Sequence, residues 1–178
     1  MSDEVHDLNA TAWLERHAPG FAALSAEERT LLMQFSLLWS LFEGEVLGAA
    51  ANVDRIRSIA QRWNRLGGLN ASTFAAEVDY FKERYFTENG FTDRFEHLHL
   101  ERSGNPQVVR DALSGHDAVP VSIATALLII VLRYRNNLFH GEKWAYQLRD
   151  QQQNFFHANA ILMRAMELDR HIRKTTGT

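Results

Sequence analysis

The sequence predicts an all-α protein, a helical bundle of about six or seven helices in one domain spanning residues 1–178. Three observations carry that prediction. Apolar residues recur at helical spacing, most plainly at Val53, Ile56, Ile59, Ala60 and Trp63. Helix-start chemistry precedes such stretches: Ser25 with Glu28 forms a capping box, and Asn105-Pro106 places a cap before a proline at the first helical position. The breaks between them are short, at Gly67-Gly68 and Asn89-Gly90, so no linker divides the chain.

The first 20 residues form a peripheral segment: residues 7–17 make a short helix with Leu8, Ala12 and Trp13 on its apolar side, ended by Pro19-Gly20. Residues 31–50 are apolar on almost every side, so that helix needs neighbours, or a second subunit, all round. Glu43 and Glu45 interrupt it. A buried carboxylate is costly unless paired, so at least one of them meets a cation or points outward. Glu43 either faces the Arg and His cluster at 133–143 or is a surface carboxylate on a dimer rim, and with no spacing to link it to Arg135, the rim is the expectation. Residues 53–66 bury one stripe and carry Arg55, Arg57, Arg62 and Arg65 against Asp54 on the other side. That basic face suits tracking a phosphate backbone, and it equally suits a solvated face that counters acidic residues elsewhere.

Asn70 or Ser72 can cap the next helix, which runs to about residue 86 with Phe74, Val78, Phe81 and Tyr85 spaced for burial. Residues 92–101 read as a short helix, although residues 96–101 alternate in a way that also fits a strand. His97 and His99 would diverge by about 200° on a helix, and no Cys or second His pair backs them as ligands, so no metal is assigned. A helix over 105–113 and a loop over 114–117 follow, and Pro120 opens the helix that contains the most apolar run, 121–132. The last helix, 144–174, draws contacts from Leu148, Phe155, Phe156, Ala160, Leu162, Met163, Met166 and Ile172, with residues 175–178 frayed.

Composition narrows the function classes. Hydrophobic residues make up 46% and charged residues 23%, ordinary for a globular fold. With no Cys there is no disulfide, which suits a reducing compartment. The start has neither the basic nor the apolar region of a secretory signal, and 121–132 falls short of the about 20 apolar residues that cross a bilayer. The expectation is a cytoplasmic protein with no membrane partner. The net charge of −3 argues against non-specific coating of nucleic acid. The charge is uneven: residues 1–50 hold 2 basic and 8 acidic side chains, leaving 17 basic and 14 acidic in residues 51–178. A nucleic-acid surface therefore belongs to the later part. No phosphate-binding glycine loop, nucleophile elbow or zinc-ligand spacing occurs, so no cofactor is expected and NTPase or oxidoreductase chemistry lacks support.

Chemistry concentrates where the apolar run ends, at Arg133-Tyr134-Arg135-Asn136-Asn137-Leu138-Phe139-His140-Gly141-Glu142-Lys143. On a continuous helix Asn136 and Arg133 share a face with His140, whereas Arg135 must use its long stem or the helix must end near His140. Gly141 supports an end. A guanidinium holds oxyanions with a fixed fork of donors, and an imidazole exchanges protons near neutral pH, a pair suited to a phosphodiester. The plain alternative is a helix C-terminus capped by cations and a glycine.

Arg135 to His140 resembles the Arg, polar residue, few more, His signature of the HEPN superfamily, and Phe139-His140-Gly141 is a common continuation of it. The motif also falls where that superfamily has it, between the penultimate and last long helices. The resemblance covers six residues and implies an all-α, usually dimeric domain of the Apea-like or toxin type, often a metal-independent endoribonuclease. Arg135, followed by Asn136, matches the pattern better than Arg133, which Tyr134 follows. The implied catalytic set is Arg135 on the phosphate, His140 as general acid or base, and Asn136 in a positioning role. Arg133, Lys143, Arg55 and Arg62 are the further candidates for RNA contacts. Implied partners are RNA, a second copy completing a composite site, and an antitoxin protein. A non-catalytic HEPN-like module that binds protein, RNA or a nucleotide is the alternative.

Overall fold

The protein is all-α. The computed structural model describes residues 9–103, 106–139 and 151–177. Among these there are eight α-helices and one two-residue hairpin.

Helix α1 (Ala10–His17) starts on Asn9, whose side chain accepts from the Ala12 amide. Trp13, expected on its apolar side, is exposed; Leu14 makes the contact with the core instead. After a 3₁₀ turn (Phe21–Ala23), α2 (Ala26–Phe42) opens with the expected capping box: the Glu28 amide donates to Ser25 Oγ at 3.1 Å and the Ser25 amide to Glu28 Oε2 at 2.8 Å. The chain then widens into a π-turn, Glu43–Leu47, which closes on Gly48 and Ala49, both in left-handed conformations.

Helix α3 (Val53–Arg65) is capped by Asn52 and buries the stripe its spacing announced: Ile56, Ile59, Ala60 and Trp63. At the following break, a Cβ on Gly68 would lie 2.6 Å from Ile172 Cδ1 and 2.9 Å from Leu168 Cδ1. The glycine there lets the turn lie against the last helix. Neither Asn70 nor Ser72 caps α4 (Ala75–Tyr85). Instead Asn70 Oδ1 takes both the amide and the hydroxyl of Ser72, closing a local turn, and the cap position falls to Phe74 without a side-chain bond.

The Asn89-Gly90 break falls at a small antiparallel hairpin, β1 (Phe86–Thr87) with β2 (Gly90–Phe91), whose turn is Glu88-Asn89. Residues 96–101 are not a strand: α5 (Asp93–Glu96) ends there, His99 takes a positive φ of 50°, and a 3₁₀ turn (Leu100–Ser103) follows. The Phe91 ring packs tilted against Phe95 with centroids 4.3 Å apart, which ties the hairpin to α5.

Helix α6 (Pro106–Ser114) and helix α7 (Pro120–Phe139) pack against each other, and α3 covers a further side of α7. α7 is the one described helix long and apolar enough to cross a membrane, yet 67% of that window is buried inside the bundle. Its apolar surface is satisfied by protein. Helix α8 (Gln152–Thr176) lies along α2. It does not fray at residue 175: it runs to Thr176, where Gly177 turns left-handed and its amide donates to the Arg173 carbonyl. Residues 144–150, the expected first part of this helix, lie outside the described residues, as does Asn105.

Two expectations of burial fail. Met33, Leu37 and Leu41, spaced four apart on α2, are 58%, 62% and 51% exposed, so that helix has an outward apolar stripe rather than neighbours all round. Phe156 and Met163 of α8 are also exposed, whereas Asn154, Asn159 and Asp169 of the same helix are buried.

Candidate functional site

Helix α7 stays regular through Phe139, so Arg135 and Asn136 sit in its final turns, about 100° apart around the axis. Tyr134, one residue earlier, turns into the core, where its hydroxyl meets that of Tyr85. Arg135 is thereby directed toward α2. Its Nη1 donates to Asn136 Oδ1 at 3.1 Å, and its Cζ lies 5.8 Å from the Trp39 ring and 5.5 Å from the Phe139 ring. Cations favour such positions over aromatic faces.

Glu43 completes the surroundings. Its Oε2 lies 3.8 Å from Arg135 Nη2 and accepts the Trp39 indole N–H at 2.6 Å. The rim position expected for Glu43 is therefore wrong: the carboxylate faces the motif arginine. A tertiary contact between α7 and the π-turn brings them together, and no spacing along the chain could announce it. One local signal was present. Trp39 and Glu43 are four apart, the spacing at which helical side chains meet.

His140, Gly141 and Lys143 lie outside the described residues, so Arg135, Asn136, Glu43, Trp39 and Phe139 constitute the described part of the site. Phe139 is 56% exposed and carries an open aromatic face beside the guanidinium.

Of the other proposed RNA contacts, Arg133, Arg62 and Arg55 are engaged within the fold, and Lys143 lies outside the described residues. Arg133 is 5% exposed and its Nε donates to the Leu98 carbonyl at 2.8 Å, so it points inward and holds the chain after α5. Burial, with the charge of Arg102 adding, lowers its pKa from the ordinary guanidinium value. Arg62 is bound to the carboxylate of Asp169, itself 1% exposed, which also accepts the Trp63 indole N–H at 2.7 Å. Arg55 donates from Nε to the Leu47 carbonyl at 2.9 Å and caps the π-turn, and Arg57 pairs with Asp54 at 3.1 Å. Of the four arginines on α3, Arg62 thus joins it to α8 and Arg55 to the π-turn, while Arg57 pairs within the helix.

A second polar cluster joins α4 to α8. Tyr80 donates to Asn154 Oδ1 at 2.7 Å and stacks on the His157 ring at 4.0 Å, while Arg164 Nε lies 3.2 Å from buried Glu77. Burial lowers the pKa of His157, with Glu77 opposing. Burial likewise pushes the Tyr85 phenol up to about 12, and Tyr134 well above its ordinary value. No group of three or more His, Cys, Asp or Glu that could hold a metal occurs among the described residues.

Comparison with protein-family models, with curated proteins and with solved structures finds no match for this chain.

Proposed function

We propose that the chain is a metal-independent endoribonuclease of HEPN type, a cytoplasmic toxin or defence effector that cleaves RNA through attack of a ribose 2′-hydroxyl on the adjacent phosphate. The observation that carries this is the setting of Arg135. Its side chain is 30% exposed at the end of α7, oriented by Asn136 and two aromatic rings, five residues before His140. A preorganised guanidinium stabilises charge that builds on the non-bridging phosphate oxygens in the transition state. His140 serves as general acid or base. The products are a 2′,3′-cyclic phosphate and a 5′-hydroxyl, and DNA, which lacks the nucleophile, is not cut.

A second copy of the chain is part of this proposal. The outward apolar stripe Met33-Leu37-Leu41 on α2 supports a docking face for that copy. An antitoxin protein is a further partner in keeping with a toxin. The alternative is a non-catalytic HEPN-like module for a protein, RNA or nucleotide. It draws support from Glu43, which offsets the charge of Arg135, and from the internal use of Arg62 and Arg133.

Purified protein incubated with RNA in EDTA separates the two. Cleavage abolished by both Arg135→Ala and His140→Ala in folded protein supports the nuclease. RNA left intact by wild type while binding persists supports the module.

A further inference from the structure

We propose that the outer face of α2 and α8 docks on the same face of a second copy, with the two α2 helices antiparallel about a two-fold axis at Leu37. This gives the second copy invoked above a surface and a register; it rests on that part of the reading alone, not on the nuclease chemistry.

Of the nine large hydrophobic side chains exposed among the described residues, five lie on these two helices: Met33, Leu37, Leu41, Phe156 and Met163. The helices run in the same direction, since Asn159 donates to the Leu31 carbonyl and Arg170 holds Glu45. Phe156, Met163 and Arg170 follow one another at seven-residue spacing and so share one side of α8, and the contact from Arg170 to Glu45 places that side along α2. The two apolar rows therefore adjoin. An apolar patch that spans two elements marks an interaction surface.

Charge and one glycine identify the occupant as another copy. Between Arg29 and Glu45 the only charged residue is Glu43, which faces Arg135, so the stripe on α2 can meet its own like without burying a charge. The ends of the face differ in sign. Exposed Glu27 lies at the start of α2, whereas Arg170, Arg173 and Lys174 gather at the end of α8. An antiparallel pair sets each acidic end against the basic end of its partner; a parallel pair would set like against like. Gly44 lies seven residues beyond Leu37, on the same side, and is exposed. It has no positive φ, and a Cβ there would touch nothing within the subunit. Glycine weakens a helical turn relative to alanine, so a glycine that its own subunit does not need fits a close approach from outside. With Leu37 on the axis, positions equally far before and after it face each other. Gly44 then meets Thr30 of the partner subunit, and Met33 meets the partner subunit's Leu41.

The chain has no cysteine, so introduced cysteines report the register. The full chain is followed by sedimentation velocity, and cysteine variants are oxidised with copper phenanthroline and resolved on a non-reducing gel. Wild type is expected to sediment as a dimer. Leu37→Glu, at an exposed position, should keep the helical circular dichroism and sediment as a monomer. Leu37→Cys should close a disulfide between copies. Met33→Cys alone should not, because the antiparallel register sets its two copies about 12 Å apart along the helices, whereas a mixture of Met33→Cys and Leu41→Cys should. Glu27→Lys should weaken the dimer by about tenfold, and Lys174→Glu added to it should restore the affinity. A dimer that survives Leu37→Glu overturns the face, and Met33→Cys closing alone as fast as Leu37→Cys overturns the register. A monomeric wild type overturns the second copy as occupant and leaves the face to a different protein. A dimer with the expected cross-links that leaves RNA uncut supports this interface and overturns the nuclease function.

Discussion

Asp169 offers the sharpest test of how α3 and α8 are joined, and it decides what Arg62 is for. The carboxylate is 1% exposed; its Oδ1 accepts from Arg62 and from the Trp63 indole at 2.7 Å, and Arg173 forms an ion pair with Oδ2 at 2.5 Å. In Asp169→Ala the indole of Trp63, a fully buried residue, loses its acceptor, which costs about 1–3 kcal/mol. The arginine side chains are 32% and 41% exposed and turn to water, so each lost pair adds only about 0.5 kcal/mol. The expected loss is therefore about 2–4 kcal/mol, read as a lower midpoint in urea unfolding with an unchanged slope. Asp169→Asn keeps an oxygen for the indole and should lose about half as much. In a Trp63→Phe background the cost of Asp169→Ala should shrink, because the orphaned N–H is gone. Arg62→Ala should cost about 0.5–1 kcal/mol and leave the salt dependence of RNA binding unchanged, whereas loss of a phosphate contact would lower that slope by about 0.7. A stability change under 0.5 kcal/mol in Asp169→Ala would refute the buried junction; a shallower salt slope in Arg62→Ala would return Arg62 to the RNA surface.

Three other outcomes are expected. Arg133→Met should cost about 1–2 kcal/mol by removing the donor to Leu98, and leave RNA cleavage intact where Arg135→Ala abolishes it; denaturation and a cleavage assay on both variants check this. His157 has its pKa lowered by burial, so below about pH 6.5 the unfolded chain binds more protons and stability falls with falling pH. His157→Phe, which preserves the stack on Tyr80, should show a smaller drop in Tm between pH 7.5 and pH 5 than wild type, and parallel drops would contradict the burial. Gly68→Ala pushes a methyl into Ile172 and Leu168 and should cost about 1–2 kcal/mol in thermal unfolding, with recovery in Gly68→Ala/Ile172→Val identifying the contact.

Much of the fold was legible because local rules set it. The Ser25 capping box, the stripe on α3 and the proline start of α7 depend on neighbours within a turn or two of chain. Where a rule depended on distant partners it misled. Phe156 and Met163 fit an apolar pattern but face outward, and Asn154, Asn159 and Asp169 look solvent-facing but are buried on partners from α4, α2 and α3. The cap expected at Asn70 failed because its side chain found a nearer bond at Ser72. At the end of α7, Arg133 runs inward to the Leu98 carbonyl, a course no local rule announced, and Glu43 with its anchor Trp39 had no spacing to link them to Arg135.

The sequence by itself determined that the chain is helical, where most helices begin, and that an apolar helix delivers Arg135 and Asn136 at its polar end. These follow from periodicity and caps, which act over a few residues. Tertiary structure alone decided which charges are free to act. Arg62 and Arg133 are consumed by a carboxylate and a carbonyl 107 and 35 positions away, while Arg135 keeps an exposed side chain with Glu43 held just short of it. The reason is that a charge pairs with whatever opposite partner packing brings within a few ångströms, and separation along the chain carries no record of that distance.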